Sequence, residues 1–336
     1  MEVSVFSFTG IYEEEDFWRE SAGETAGDSR FPVSENGGSP SSDPGLPHYH
    51  DLTGIPGTNG YLSEDAASEI RRRLDRISFD RHGLYGLHFI DSGNSHYMTR
   101  LLTERLRIPY CLILIDHHPD LQPPAFGGLL SCGSWVRASL EEDPFLRQVL
   151  LIGPDRRLFE EALCDDAVDI AGSGSSAHGA ASATVLSCEL AGRKISLIPE
   201  APLPELLSLL SGLLPEELPV WISVDKDILS PEEVQTNWDQ GGMRTSDLYA
   251  LLAFLRDRTH PLGVDICGEC DRSGAPSDHA RFVRQNDTIN RALMSQWGRF
   301  ESMGTVLFDS FFKDIESANG AQNESKRTVP SDSPAK

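Results

Sequence analysis

Six short apolar runs, separated by amphipathic stretches, constrain the fold of this chain more than any other feature. They are LYGLHFI (84–90), YCLILI (110–115), QVLLIG (148–153), KISLIP (194–199), PVWISV (219–224) and PLGVDI (261–266). Each is nearly continuous in apolar character and rich in β-branched or aromatic side chains, the pattern of a strand covered on both faces. Between them lie helical patterns. EDAASEIRRRLDRI (64–77) follows Ser63 as N-cap, with an acidic first turn and basic later turns that suit the helix dipole. HYMTRLLTERL (96–106), PDRRLFEEAL (154–163) and TSDLYALLAFLRD (245–257) follow other strands, the last capped by Thr245 or Ser246. This alternation predicts a three-layer α/β/α sandwich with a mostly parallel sheet. The opening VSVFSF (3–8) predicts one further strand.

The predicted domain spans 1–314 as one unit. Residues 20–47 are dense in Ser, Gly, Pro and acid and cannot bury enough apolar surface to offset chain entropy, so they read as a disordered insertion. The tail at 315–336 reads the same way. A net charge of −23, from 29 basic against 52 acidic side chains, argues against nucleic acid or an anionic membrane as partner. There is no 18-residue apolar run, and the opening residues lack the layout of a signal peptide, so a cytoplasmic location is expected. Six scattered cysteines fit reduced thiols. Whether the chain forms a homo-oligomer is left open.

Parallel α/β sheets bind ligands at the carboxyl ends of their strands, and three polar clusters stand there. Asp91-Ser-Gly-Asn-Ser-His96 follows the first run, Asp116-His-His-Pro-Asp120 the second, and Ser223-Val-Asp-Lys-Asp227 closes the PVWISV run. Asp116, His118 and Asp120 are spaced two apart, as are Asp225 and Asp227, so in an extended segment each set projects to one face. Converging carboxylates repel unless protons or cations accompany them. Four aspartates with His96 and His118 form a hard-oxygen and imidazole donor set suited to Mn²⁺ rather than to a thiolate zinc site. The set exceeds what one ion needs, so a carboxylate can bridge two ions that generate a hydroxide nucleophile between them. A single such cluster would more often be a cap or loop hydrogen-bonder; three at equivalent strand ends are harder to explain that way.

These clusters resemble the signatures of the arginase/agmatinase (ureohydrolase) family, which is distantly related in fold to histone deacetylases. The signatures are a glycine turn ending in His, seen as Gly93-Asn94-Ser95-His96, an Asp-x-His-x-Asp segment, Asp116–Asp120, and a Ser-x-Asp-x-Asp segment, Ser223–Asp227. The resemblance covers about residues 84 to 312. It implies two Mn²⁺, with His96 and Asp120 on one ion, His118 and Asp227 on the other, and Asp116 and Asp225 bridging. It implies hydrolysis of a C–N bond in a small guanidino, amidine or amide substrate, with Asp120 and Glu269 in the catalytic site. Asp239–Thr245 is similar to the family's glycine-containing loop, and Asp265–Glu269 to a strand ending in a substrate-facing Glu.

Two departures bear on substrate. Where arginases carry a proton-shuttling His, this chain reads Ser131-Cys132-Gly133-Ser134-Trp135, so L-arginine is not the expected substrate and Trp135 is expected to reshape the pocket mouth. Glu269 also stands one residue further from Asp265 than the family pattern. Alternatives are a deacetylase-like amidohydrolase and a non-catalytic, metal-binding regulatory member of the fold. Cys267-Gly-Glu-Cys270 lacks the second pair of a zinc ribbon and reads as structural thiols. His117 is expected to pack on the opposite face from His118. Lys226 is expected either to balance the carboxylates from behind or to form an outward salt bridge.

Overall fold

The computed structural model describes residues 3–19, 47–76, 86–164, 166, 169–173, 184–271 and 278–298. The insertion expected at 20–47, except residue 47, and the tail expected at 315–336 lie outside the described residues. The chain divides into two units, Met1–Leu293 and Met294–Lys336. Of the second, only residues 294–298 are described, and they are helical.

The first part of the chain contributes β1 (Val3–Ser7), β2 (His48–Asp51), β3 (Tyr61–Leu62), α1 (Glu64–Arg76) and β4 (Leu87–Phe89). Then come α2 (Met98–Thr103), β5 (Tyr110–Ile115), β6 (Leu130–Ser131), α3 (Trp135–Glu142), β7 (Leu146–Gly153) and α4 (Arg156–Ala162). The remainder supplies β8 (Ala171–Ser173), β9 (Val185–Leu190), β10 (Arg193–Pro199), α5 (Leu203–Ser211), β11 (Val220–Asp225), α6 (Thr245–Arg258), β12 (Pro261–Cys267) and α7 (His279–Gly298).

Ten strands form one sheet in the order β2-β1-β4-β12-β11-β5-β7-β10-β9-β8. Pairing is parallel from β2 through to β10, and antiparallel only where β9 joins β10 and β8 joins β9. Every residue of β5, β11 and β12 is buried. Successive side chains along a strand point to opposite faces, so continuous burial means that both faces are covered, as in a three-layer α/β/α sandwich. Each of the six apolar runs, and VSVFSF, contributes a strand to this sheet, the first through Leu87–Phe89.

The helices form where their patterns predict, with one change at a cap. The Ser63 hydroxyl accepts from the Ala66 N–H at 3.2 Å, closing the first turn of α1 as expected. At α6 the Thr245 hydroxyl instead donates to Glu233 at 2.6 Å, and Arg244 occupies the cap position without a side-chain bond. No helix among the described residues is long and apolar enough to cross a membrane.

The central order β4-β12-β11-β5 decides where chemistry can occur. Because these strands are parallel, the segments after β4, β5, β11 and β12 all emerge at one edge, and all three polar clusters are brought there.

Candidate metal centre

Local structure carries each donor inward. After β4 a single 3-10 turn, Gly93–Ser95, delivers His96 to the start of α2 with its ring fully buried. Gly93 is needed there: a Cβ at that position would lie 2.8 Å from Asp225 Oδ2. Asp225 is the last residue of β11, and Asp227 lies in the 3-10 turn that follows. The Asp227 N–H donates to Asp225 Oδ1 at 2.9 Å. The two carboxylates therefore converge through a tight turn rather than through the alternation of an extended strand. Asp120 likewise adopts a left-handed backbone with φ of 50°, a conformation that costs a non-glycine residue energy but that Asp tolerates better than most.

His96 Nδ1 lies 3.3 Å from Asp116 Oδ2, 3.2 Å from Asp120 Oδ2 and 3.6 Å from Asp225 Oδ2. His118 Nδ1 lies 2.9 Å from Asp227 Oδ2 and 3.6 Å from Asp116 Oδ1. Four donor groups result among the described residues, and Asp116 belongs to two of them, one with His96 and one with His118, through its two oxygens. Asp225 shares His96 with Cys267 in a separate group, while its other oxygen is held by the Asp227 amide. Asp116 thus has the bridging placement that the resemblance implied, whereas Asp225 groups with the His96 side.

The hydrogen bonds behind His96 set its tautomer. Ser223 Oγ donates to Asp265 Oδ1 at 2.6 Å, and that carboxylate also receives Thr99 Oγ1 at 2.9 Å and the Trp221 indole N–H. With its proton spent on Asp265, Ser223 can only accept from His96 Nε2, 2.9 Å away. Nε2 therefore carries a proton, and Nδ1 is the atom that faces three carboxylate oxygens. That arrangement needs a proton or a cation at the centre, and a buried hydrogen-bonded support of this kind is what orients a metal-ligating imidazole.

The electrostatics agree. Burial raises Asp225 and Asp227 above the ordinary carboxylate range and Asp116 beside them adds to it; the same causes push Asp120 up to about 6. Burial opposes a charged His118, but Asp116 and Asp227 outweigh it and push the ring up to about 12. Burial opposes a charged His96 too, yet Cys267, Asp116 and Asp120 prevail and raise it. Asp116 is held below its usual range because bonds from His118 and His96 overcome the cost of burial. The cluster thus holds more negative charge than it can keep without compensation, and hard oxygen and imidazole donors fit a pair of divalent cations.

All six expected metal ligands, His96, Asp116, His118, Asp120, Asp225 and Asp227, come together, and a cavity of about 500 Å³ opens over them. Glu269 does not. Its carboxylate is fully buried away from the cavity and pairs with Lys226, whose ammonium also donates to Asn286 Oδ1 at 2.6 Å and Asn290 Oδ1 at 3.2 Å. The preceding Gly268 carries a φ of 97°, and with Glu269 buried against Lys226 the expected substrate-facing role is corrected. Lys226 accordingly faces the interior, which removes the outward salt bridge.

Trp135 is also corrected. It is buried at the start of α3, its ring centroid is 4.9 Å from that of His96, and its indole N–H donates to Asp120 Oδ2 at 2.6 Å; it does not line the cavity. Asp91, the head of the first cluster, is a structural pin. Its carboxylate accepts from the amides of Phe8, Thr9 and Ser92 and from the Thr9 hydroxyl, all within 2.8 Å. His117 does not turn fully away: its ring lies 5.1 Å from that of His118, with Nε2 3.9 Å from Asp239. His178 lies outside the described residues.

Three further residues stand at the site, of which Asp239 and Cys267 were not assigned a place there from the sequence. Asp239 Oδ1 lies 3.2 Å from His118 Nε2, Trp238 forms a half-exposed wall of the cavity, and Cys267 lies against Asp225 with its sulfur 3.1 Å from Oδ2. Cys267 stands opposite Asp225 in the parallel register of β12 and β11, a pairing that only the assembled sheet sets.

No protein-family model matches the chain. An uncharacterised protein of Thermotoga maritima is 25% identical over 210 residues, covering 62% of this chain and 67% of that one. Among solved structures, formimidoylglutamase from Bacillus subtilis superposes with a TM-score of 0.50 at 13% identity, covering 88% of this chain and 86% of its own. Agmatine ureohydrolase of Thermoplasma volcanium gives a TM-score of 0.48 at 13% identity, over 89% of this chain and 90% of its own. The sheet order and the superposition on formimidoylglutamase give this chain the arginase/agmatinase fold, that of the ureohydrolases.

Proposed function

We propose that this protein is a dinuclear metal-dependent hydrolase of the ureohydrolase family that cleaves a C–N bond in a small guanidino, amidine or amide molecule. The observation that carries the reading is Asp116, whose two oxygens face two different imidazoles and so join two donor groups into one centre. His96, Asp120 and Asp225 with one oxygen of Asp116 would hold one Mn²⁺, and His118 and Asp227 with the other oxygen would hold the second. Two such cations would activate water as the nucleophile and polarise the electrophilic carbon.

The residues of this chain supply the rest. Two divalent cations would cancel the four aspartates at the floor, so the attraction for a flat cationic amidine or guanidinium would come from Glu161 on the cavity wall and Asp239 beside His118. The cavity of about 500 Å³ suits a small molecule, and the half-exposed Trp238 offers it an aromatic wall. Asp120, held by Trp135, stays directed at the His96 side.

L-Arginine is not the proposed substrate. Among the described residues the imidazoles lining the cavity are His96 and His118, both in the metal groups, and the loop before α3 contributes Cys132 and Gly133 in place of a proton-carrying ring. General acid–base help of that kind contributes about 10²–10⁴-fold. The same observation favours a second reading, a member of the fold that binds metal without turnover. A Mn²⁺-loaded preparation assayed for urea, ammonia and acetate release across guanidino, amidine and amide compounds decides between them. Release of urea or ammonia supports the proposal, acetate alone redirects it to a deacetylase-like amidohydrolase, and bound metal with no product favours the non-catalytic reading.

A further inference from the structure

The two donor groups are not chemically alike. The His118 group contains imidazole and carboxylate only, whereas a third cluster combines His96, Asp225 and Cys267. In that cluster a ring nitrogen of His96, a carboxylate oxygen and Sγ lie within 4.8 Å of one another. Donors on one Zn²⁺, with bonds of about 2.0–2.3 Å, stand within about 4.6 Å of each other. The three atoms are therefore nearly at ligand spacing before any ion draws them together.

The backbone places this sulfur firmly. Cys267 ends β12 directly opposite Asp225 in the register with β11, and it is fully buried. Gly268 follows with φ of 97°, and its amide donates to the Asp91 carbonyl at 3.0 Å. A Cβ on Gly268 would collide with Asp225 and lie 2.7 Å from the Lys226 nitrogen, so the chain is pressed onto the Asp225 turn. The thiol points at Asp225 Oδ2, the same oxygen that faces His96 Nδ1.

We propose that Cys267 is a further ligand of the His96-side ion, giving that position a mixed thiolate, imidazole and carboxylate shell that selects a borderline or soft divalent cation such as Zn²⁺, Co²⁺ or Fe²⁺. The His118 side, with nitrogen and oxygen donors only, keeps a preference for Mn²⁺. The centre would therefore fill with two different metals when both are offered. On coordination the S–H bond breaks heterolytically, the electron pair stays on sulfur as the metal bond forms, and the proton passes to solvent. This proposal rests on the dinuclear metal reading given above.

Cobalt(II) separates the two. The metal-free full chain loaded with Co²⁺ should show weak visible ligand-field bands from any bound ion. It should also show an intense near-ultraviolet sulfur-to-cobalt charge-transfer band. The second band should vanish in Cys267→Ser and persist in Cys132→Ser, which alters the thiol that lines the cavity, while the visible bands survive in both. Zn²⁺ affinity should fall by at least about 10–100-fold in Cys267→Ser, and Mn²⁺ affinity far less. Visible bands without the near-ultraviolet band, or a band that survives Cys267→Ser, overturns the Cys267 assignment and leaves the dinuclear reading standing. Failure to bind cobalt at all overturns both. Should Cys267→Ser not fold, X-ray absorption at the zinc edge of the unaltered protein still decides: a sulfur neighbour at about 2.3 Å is expected, and only nitrogen and oxygen neighbours refute it.

Discussion

The indole N–H of Trp135 lies 2.6 Å from Asp120 Oδ2, the same oxygen that stands 3.2 Å from His96 Nδ1. A residue that the sequence placed at the pocket mouth is thus a buried clamp on a metal ligand. It fixes the direction of a carboxylate whose own backbone is in a left-handed conformation. Trp135→Phe keeps a ring against His96 but removes the donor. Affinity at the His96 side is expected to weaken about 10–100-fold, the usual cost of losing a partner of a ligand, with the His118 side little changed. Competition titration with a chelator checks this, and equal weakening at both positions refutes it.

Asp116 should be unlike every other ligand. Because its two oxygens serve the two groups separately, Asp116→Ala is expected to leave the protein without either ion after dialysis. Asp227→Ala is expected to lose only the ion on the His118 side, and Asp225→Ala mainly the ion beside His96. Elemental analysis of the dialysed variants reads the stoichiometry. Retention of one full equivalent by Asp116→Ala would falsify the shared-carboxylate assignment.

Lys226 stands between two metal ligands yet faces away from them, locked to Glu269, Asn286 and Asn290 in a region without solvent access. Asn290 also donates to the buried Glu15 at 2.9 Å, which ties the amino-terminal segment to α7. Lys226→Met removes the positive partner of a buried carboxylate and is expected to cost about 3–5 kcal/mol. The double variant Lys226→Met/Glu269→Leu should recover part of that, since the Glu269 carboxylate is then gone and Glu15, which burial raises well above the usual carboxylate range, is the one acid left beside Asn290. Urea denaturation of the metal-free proteins measures both, and a double variant as unstable as the single one would contradict the account.

The strands and the three ligand clusters were legible because they depend on local pattern. β5, β11 and β12 are buried on both faces, so their composition alone marks them, and the ligands follow at fixed offsets. The edge strand β2, HYHD, was not legible: its residues are half-buried or exposed, and its pattern is weak. The antiparallel β9 reads as one half of an ordinary turn-linked pair, with no cluster at its end. Counting residues showed Glu269 one position too far from Asp265, but not that it would be buried against Lys226 behind a Gly268 with positive φ. Trp135, Lys226 and Cys267 failed for a tertiary reason. Each takes its role from a partner 15 to 43 residues away, Asp120, Glu269 and Asp225 respectively.

Proton and metal compete for one place in this centre, and pH should expose the competition. In the metal-free fold His118 is pushed up to about 12 and His96 is raised as well, while an unfolded His titrates near 6.5. A raised folded value means that the protonated imidazoles contribute stability in full below about pH 6.5, and that this contribution drains away as pH climbs toward the folded value. Asp120, pushed up to about 6 chiefly by burial, has the same sign: its neutral form favours the fold below the unfolded value of about 3.9, and that share is lost as pH rises through about 6. The metal-free protein should therefore melt at progressively lower temperature between about pH 6 and 9. A cation must evict the Nδ1 protons before His96 and His118 can ligate, so its apparent affinity should rise over the same interval. The gain in melting temperature from a fixed excess of Mn²⁺ should then grow with pH, because ligand stabilisation follows the ratio of free ion to apparent dissociation constant. Thermal melts with and without Mn²⁺ at several pH values test both arms. A gain that stays constant across the range would mean that the ions do not displace protons from these imidazoles, and the two histidines would lose their assignment as ligands.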